Sequence, residues 1–177
     1  MEKDSRAVVF TVGHSTRSLE EFVDLLRHYG VKRLVDVRTI PRSRHNPQFS
    51  KETLGPYLRH RHIGYRHMKD LGGLRHAHAD SKNTGWQNAS FRGFADYMQT
   101  DSFAEAVEKL GKIAKESPAA IMCAEAVPWR CHRALIGDAL LIRGFEVQDI
   151  LSVTSVRPHL LTPMARVNGI AITYPAG

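Results

Sequence analysis

Two cysteines in 177 residues are too few for a disulfide scaffold, so a reducing, cytoplasmic setting is expected. No apolar run approaches the roughly 20 residues that a helix needs to cross a bilayer, so no membrane span is expected. The opening stretch MEKDSRAVVF moves from mixed charge straight into a short apolar run and lacks the long apolar centre of a secretory signal. Internal repeats, linkers and low-complexity tracts are also missing. What remains is an ordinary globular composition, 42% apolar and 24% charged. A chain of this length builds one α/β-sized domain with a proper core and has too few residues for two comfortable ones.

Acidic residues are scarce in one region only. From Arg38 to His78 nine Lys and Arg face Glu52 and Asp70, and this stretch alone accounts for the net charge of +7. The rest of the chain balances 16 basic against 16 acidic residues. Five of the ten histidines lie between His60 and His78, and His45 is just upstream. A patch of this kind concentrates anions, which suits a phosphorylated ligand or nucleic acid; a solvated basic face is the plainer alternative.

Short apolar runs alternate with helical patterns. Val8–Val12 reads as a strand ended by Gly13-His14-Ser15-Thr16. Ser18 then caps a helix, with Glu21 completing a capping box and Gly30 as the stop. Leu34–Val37 is a second strand, about 50–62 a helix, and Tyr65–Met68 a weak third strand. The segment from Gly72 to Ser90 has no apolar period, as in a lid or binding loop. Phe91–Met98 reads as a helix, and Ser102 is expected to cap the next. Ala119–Cys123 is a fourth strand of the buried parallel kind. Pro128 suits the first position of a helix, which predicts Cys131 and His132 in its first turn. Val147–Leu151 is a fifth strand, and Met164–Tyr174, around Asn168-Gly169, a terminal hairpin. The spacing predicts a single Rossmann-like α/β domain. Its mostly parallel five-stranded sheet has helices on both faces, with a core over about 8–151 and a C-terminal β-hairpin within about 160–175.

Several of these pieces also form a recognisable set: Gly13-His14-Ser15-Thr16, Asp36-Val37-Arg38 with Pro41 and Ser43-Arg44, Leu71-Gly72-Gly73, Phe91–Met98, and Cys123-Ala124-Glu125 followed by Cys131-His132-Arg133. In these the chain resembles a bacterial and archaeal family, domain of unknown function 488. The resemblance implies a compact α/β domain with polar residues gathered at strand ends. It implies no reaction.

Loops at the carboxyl ends of parallel strands share one edge, where ligands bind at the switch in strand order. That rule brings His14, Ser15 and Thr16 towards Asp36 and Arg38, and both towards Cys123, Glu125, Cys131, His132 and Arg133. Three chemistries use these residue types. A thiol in the first turn of a helix, beside His132 and Arg130 or Arg133, favours the thiolate, while the helix start offers N–H groups to an anion. The competing reading has Cys131 as a buried small side chain and Arg133 paired with Glu125 or Asp36. A second chemistry is zinc on Cys123, Cys131 and His132, but a Cys-x7-Cys spacing is unusual for that metal, and no metal or cofactor is expected. In the third, Cys123 or Cys131 is a nucleophile, His14 or His132 the base and Asp36 or Glu125 its orienter. The spacing from Cys123 excludes a Cys-x5-Arg phosphatase loop, because Trp129 stands where the arginine would be. Ser43 and Arg44 suit phosphate contact, with plain solvent exposure as the alternative. Among the aromatics, Phe91, Phe94 and Tyr97 follow helical spacing and are expected to pack, leaving Trp86 as the accessible one.

These observations lead to an enzyme or anion-binding domain for a small anionic or phosphate-bearing substrate. Arg38 and Arg133 are expected to hold the anion, and Cys123 or Cys131 to react with help from His14, Asp36 or Glu125. The alternative is a nucleic-acid-binding or -processing protein that grips phosphates through Arg38–His78. A non-catalytic interaction domain leaves the polar convergence unexplained.

Overall fold

The apolar runs of β-branched and small residues fold as strands of one sheet in the computed structural model, which describes residues 6–177. β1 (Val8–Gly13) lies inside the sheet between β4 (Ala119–Cys123) and β5 (Glu146–Ser152), parallel to both. β2 (Arg33–Asp36) pairs with β4, and β3 (Gly64–His67) with β2, again in parallel. A sixth strand, β6 (Ser155–Pro158), adds antiparallel to β5, giving the order β3-β2-β4-β1-β5-β6. β6 goes unannounced in the sequence because three of its four residues are exposed and it carries no buried alternation. The terminal hairpin is β7 (Arg166–Asn168) with β8 (Ala171–Thr173), turned at Gly169 with φ 64°. The expected single mostly parallel α/β domain with its hairpin is therefore what forms.

Every residue of β4 is buried, as a strand covered on both faces requires. Its period of two sends Ala119, Ile121 and Cys123 to one core and Ala120 and Met122 to the other. The first core is closed by α3 (Ala89–Tyr97), α4 (Asp101–Glu116) and α5 (Arg133–Leu141), through Phe94, Phe103, Leu110, Leu135 and Ile136. The second is closed by α1 (Leu19–His28) and α2 (Lys51–Arg59), through Phe22, Leu26, Leu54 and Leu58. Cys123 thus points to the side from which α5 starts.

Local chemistry sets the helix starts. Ser18 accepts the Glu21 N–H at 3.1 Å, as expected. α4 begins earlier than Ser102: Thr100 caps it by accepting the Phe103 N–H at 3.2 Å. A larger correction falls on the last helix. Pro128–Arg130 is a separate 3-10 turn, Cys131 is extended at φ −139° and ψ 144°, and α5 starts only at Arg133. Neither Cys131 nor His132 is in its first turn. The stretch from Gly72 to Asn88 has no helix or strand beyond its opening, yet it is tied down by Asp96. That carboxylate accepts from the His78 N–H, the Ser81 hydroxyl and the Asn83 amide at 2.5–2.8 Å.

The C-terminal segment is anchored by a buried ionic cluster. His159 bridges Asp138 at 2.9 Å and Asp149 at 3.1 Å, and Tyr174 and Thr162 hydroxyls donate to Asp138 as well. Burial alone would keep His159 neutral, but hydrogen bonds to both carboxylates and their charge raise its pKa to about 9. A histidine raised on folding contributes stability fully below its ordinary value of 6.5, and loses that contribution as pH rises through about 9. His159→Gln is therefore expected to cost about 3 kcal/mol at pH 6, because it strands two buried carboxylates. Urea unfolding of both proteins across pH 6 to 10 checks this: the gap between them is widest at the acid end and narrows through about pH 9.

Candidate active site

β1 and β4 stay paired beyond their last residues, with the His14 N–H on the Cys123 carbonyl at 2.9 Å and the Ser15 N–H on the Ala124 carbonyl at 3.0 Å. Gly13 permits this closeness, since any Cβ there would overlap the Glu125 carbonyl. The chains then diverge, β1 to α1 and β4 to the 3-10 turn. β1 and β4 are also where the strand order reverses direction, so the crevice opens between their ends.

At its floor lie Cys123 and Cys131, with Arg133 beneath them. The Arg133 side chain is fully buried and reaches back from the start of α5 across the end of the sheet. It donates to the Cys123 sulfur at 2.8 Å, the Glu125 carbonyl at 2.5 Å, the Ala126 carbonyl at 3.3 Å and the Thr11 hydroxyl at 3.3 Å. None of these partners is a carboxylate; the Thr11 hydroxyl in turn donates to Asp149 at 2.6 Å. Burial of the Cys123 thiol would raise its pKa, but the Cys131 S–H, the Arg133 charge and the Arg133 N–H outweigh it and bring Cys123 down to about 7. Cys131 moves the other way, well above its ordinary value, because it donates to Cys123 and is itself buried. Of the two thiols, the one on the strand end is the one held toward the thiolate.

His132 flanks this pair. Its Nε2 lies 3.0 Å from the carbonyls of Val37 and Leu71, which fixes the proton there and leaves Nδ1 facing the Cys131 sulfur at 3.5 Å. Burial holds His132 neutral, its pKa lowered to about 4.

A second ionic centre sits at the end of β2. Arg38 grips both oxygens of Asp36, at 2.9 and 2.7 Å, and donates to the Phe49 carbonyl at 2.7 Å. Asp36 also accepts the Tyr65 hydroxyl at 2.5 Å. His14 stacks on Phe49 with ring centroids 4.4 Å apart and takes Arg38 NH1 on Nε2 at 3.5 Å. Its Nδ1–H therefore donates to the Ser15 carbonyl at 2.8 Å. Burial lowers the His14 pKa to about 4, so it too is neutral.

Between the two centres is a cleft of about 500 Å³ whose wall includes Arg38, Arg42, Glu125, Arg130, Cys123 and Cys131. Of the residues read from the sequence, Cys123, Cys131, Glu125, His132 and Arg38 meet at this cleft. Ser15, Thr16, Ser43 and Arg44 do not line it. The Ser43 hydroxyl accepts the Asn46 N–H at 2.9 Å instead, and Arg44 is exposed. Arg133 was expected to hold the anion; its guanidinium is spent on protein groups below the floor. Asp36 and His14 were expected to orient and serve the nucleophile, but both are turned to Arg38, and neither is hydrogen-bonded to a sulfur among the described residues. Asp36 and Arg38 form an ion pair with each other at the end of β2. Trp86 is partly buried against Phe91 and Tyr174, at 5.1 and 5.5 Å; Trp129 is the exposed tryptophan. Arg42 and Arg130 are the exposed cations of the cleft; the sequence pointed to Arg130 only as a neighbour of Cys131, and to Arg42 only through its basic surroundings.

Among the described residues no three His, Cys, Asp or Glu side chains gather as a metal site, and no helix is long and apolar enough to cross a membrane. A family model described as Domain of unknown function DUF488 matches residues 18–140. No curated protein and no solved structure matches the chain.

Two outcomes follow from this geometry. Iodoacetamide labelling of Cys123, followed by mass spectrometry against pH, is expected to show a midpoint near 7 while Cys131 stays unlabelled; Arg133→Met moves the Cys123 midpoint above its ordinary value of 9.0. Gly13→Ala is expected to lose about 3 kcal/mol of unfolding free energy in urea, because the added carbon meets backbone and not a movable side chain.

Proposed function

The chain belongs to the domain of unknown function DUF488 family, and we propose that it is an enzyme acting on a small anionic substrate, with Cys123 as the nucleophile. The observation that carries this reading is the pairing of a fully buried guanidinium, Arg133, with a sulfur at 2.8 Å where a carboxylate would ordinarily stand. A purely structural buried arginine is best matched by an acid. One matched by a thiol stabilises a thiolate instead, at the floor of a cleft lined by Arg38, Arg42 and Arg130. Thiolate and cations together are what nucleophilic attack on a negatively charged molecule needs. The sulfur forms the new bond at the electrophilic atom, and the leaving group departs with the electrons of the old one. Arg42 and Arg130 neutralise the substrate charge, and the backbone around Ala124 borders the same space. Cys131, which keeps its proton, holds the thiolate in place between turnovers.

The nucleic-acid alternative draws on the same positive region. Exposed Arg42, Arg44, Lys51, Arg59, Arg66 and Lys69 favour it, while Phe94 and Tyr97, which pack on each other and on Phe103, offer no stacking platform.

Protection of Cys123 from iodoacetamide by inorganic phosphate tests the proposal. Saturating phosphate is expected to slow labelling about tenfold, and the Arg42→Ala/Arg130→Ala variant to need about tenfold more phosphate for the same effect. Labelling indifferent to phosphate but blocked by an oligonucleotide, with a steep salt dependence, would favour the alternative.

A further inference from the structure

A second cleft, about 630 Å³, opens on the far side of Cys131. Cys131 and Phe91 line both clefts, so the two spaces meet across one thiol and one ring. Their chemistry is opposite. The first carries Arg38, Arg42 and Arg130; the second is mainly apolar, through Trp86, Phe91, Trp129 and three prolines, with Asp149, Arg157 and His159 as its charged or ionisable members. Trp129 is 56% exposed and Leu160 79%, an uncovered apolar surface at the edge of a concavity, which is how ligand pockets are built. Trp86 packs on Phe91 at 5.1 Å and on Tyr174 at 5.5 Å at the back of the cleft, while Trp129 stays open at its rim. The Arg157 guanidinium lies 5.3 Å from the Trp129 ring centre, presenting a cation to anything stacked on that indole. The Trp86 indole N–H is buried without an acceptor among the described residues.

Building on the anion site proposed above, we infer that the substrate is a two-part molecule, an anionic group joined by a short link to an aromatic ring. The anion occupies the basic cleft over Cys123, and the ring occupies the apolar cleft against Trp129. A ring suits this cleft better than an alkyl chain because its walls are planar: two indoles, a phenyl and a guanidinium reward stacking over flexible filling. The link is short because the clefts are divided by single side chains. Each cleft alone, at about 500 and 630 Å³, is large enough for one such group.

Calorimetric titration of the full chain with methylphosphonate and benzylphosphonate tests this, since the two probes share the anion and differ by the ring. Benzylphosphonate is expected to bind about tenfold tighter or more, the gain from removing a phenyl group from water. Trp129→Ala, at an exposed position that folding does not need, is expected to bring the two affinities to within about twofold. Equal affinities in the unmodified protein, or an advantage that survives Trp129→Ala, would overturn the inference and leave the anion site standing. If neither phosphonate binds, the anion site fails and the two-part substrate fails with it.

Discussion

A positive charge fully out of water governs this structure. Burying the Arg133 guanidinium is costly unless each of its donors finds an acceptor and some negative charge lies near. Three segments supply what it needs: Thr11 from β1, Cys123 from the end of β4, and the carbonyls of Glu125 and Ala126 from the loop that follows. The guanidinium therefore ties the two neighbouring strands to the start of α5. It also pulls the 124–127 backbone down over Gly13, where no side chain can stand. Because the only partner able to take a negative charge directly is sulfur, the same demand that holds the fold makes Cys123 acidic. Stability and reactivity here have one source.

The network does not stop at the floor of the cleft. From Cys123 it passes through Arg133 to Thr11, from Thr11 to Asp149, and from Asp149 to His159. His159 carries it on to Asp138, where Tyr174 and Thr162 join. The C-terminal segment is thus wired to the thiol through buried polar groups, although Asp149, His159 and Tyr174 lie beyond the matched residues 18–140. Removing any member leaves a neighbour buried and short of a partner. Mutual dependence of this kind makes the thiol sensitive to residues that never touch it.

The parallel strands were legible because the period is plain: a run such as Ala119–Cys123 is apolar on both faces, and only a doubly covered strand wants that. Ser18 was legible for the same kind of reason, a local hydrogen bond written in two nearby residues. Thr100, not Ser102, caps α4, and since both carry a hydroxyl, residue type alone does not separate them. β6 carries an edge strand's exposed pattern, which looks like loop. In the site, topology brings Cys123, Glu125, Cys131, His132 and Arg38 to one cleft and leaves Ser15, Thr16, Ser43 and Arg44 outside it. It could not tell which arginine would be swallowed. Arg38 and Arg133 looked like equivalent anion holders, whereas both are held by protein groups and the exposed cations lining the cleft are Arg42 and Arg130. Thr11 and Asp149 gave no signal, since their roles exist only after β1, β5 and α5 are packed together.

That division between inner and outer arginines has its own physical consequence. Exposed charges act through water and are screened within about 8–10 Å at ordinary ionic strength, whereas a buried charge in contact with its partner is screened far less. On the proposed anion-binding reading, Arg42 and Arg130 set how strongly an anion is drawn in, and that attraction fades with salt. Arg133 sets how acidic the thiol is, and salt barely reaches it. Were the basic wall the origin of the Cys123 acidity, both properties would fall together as salt rises. With the acidity set from below by Arg133, the proposed anion capture weakens with salt while the thiolate population stays as it was. The floor and the wall of the cleft thus answer to different conditions, because one positive charge was folded into the protein and the others were left outside.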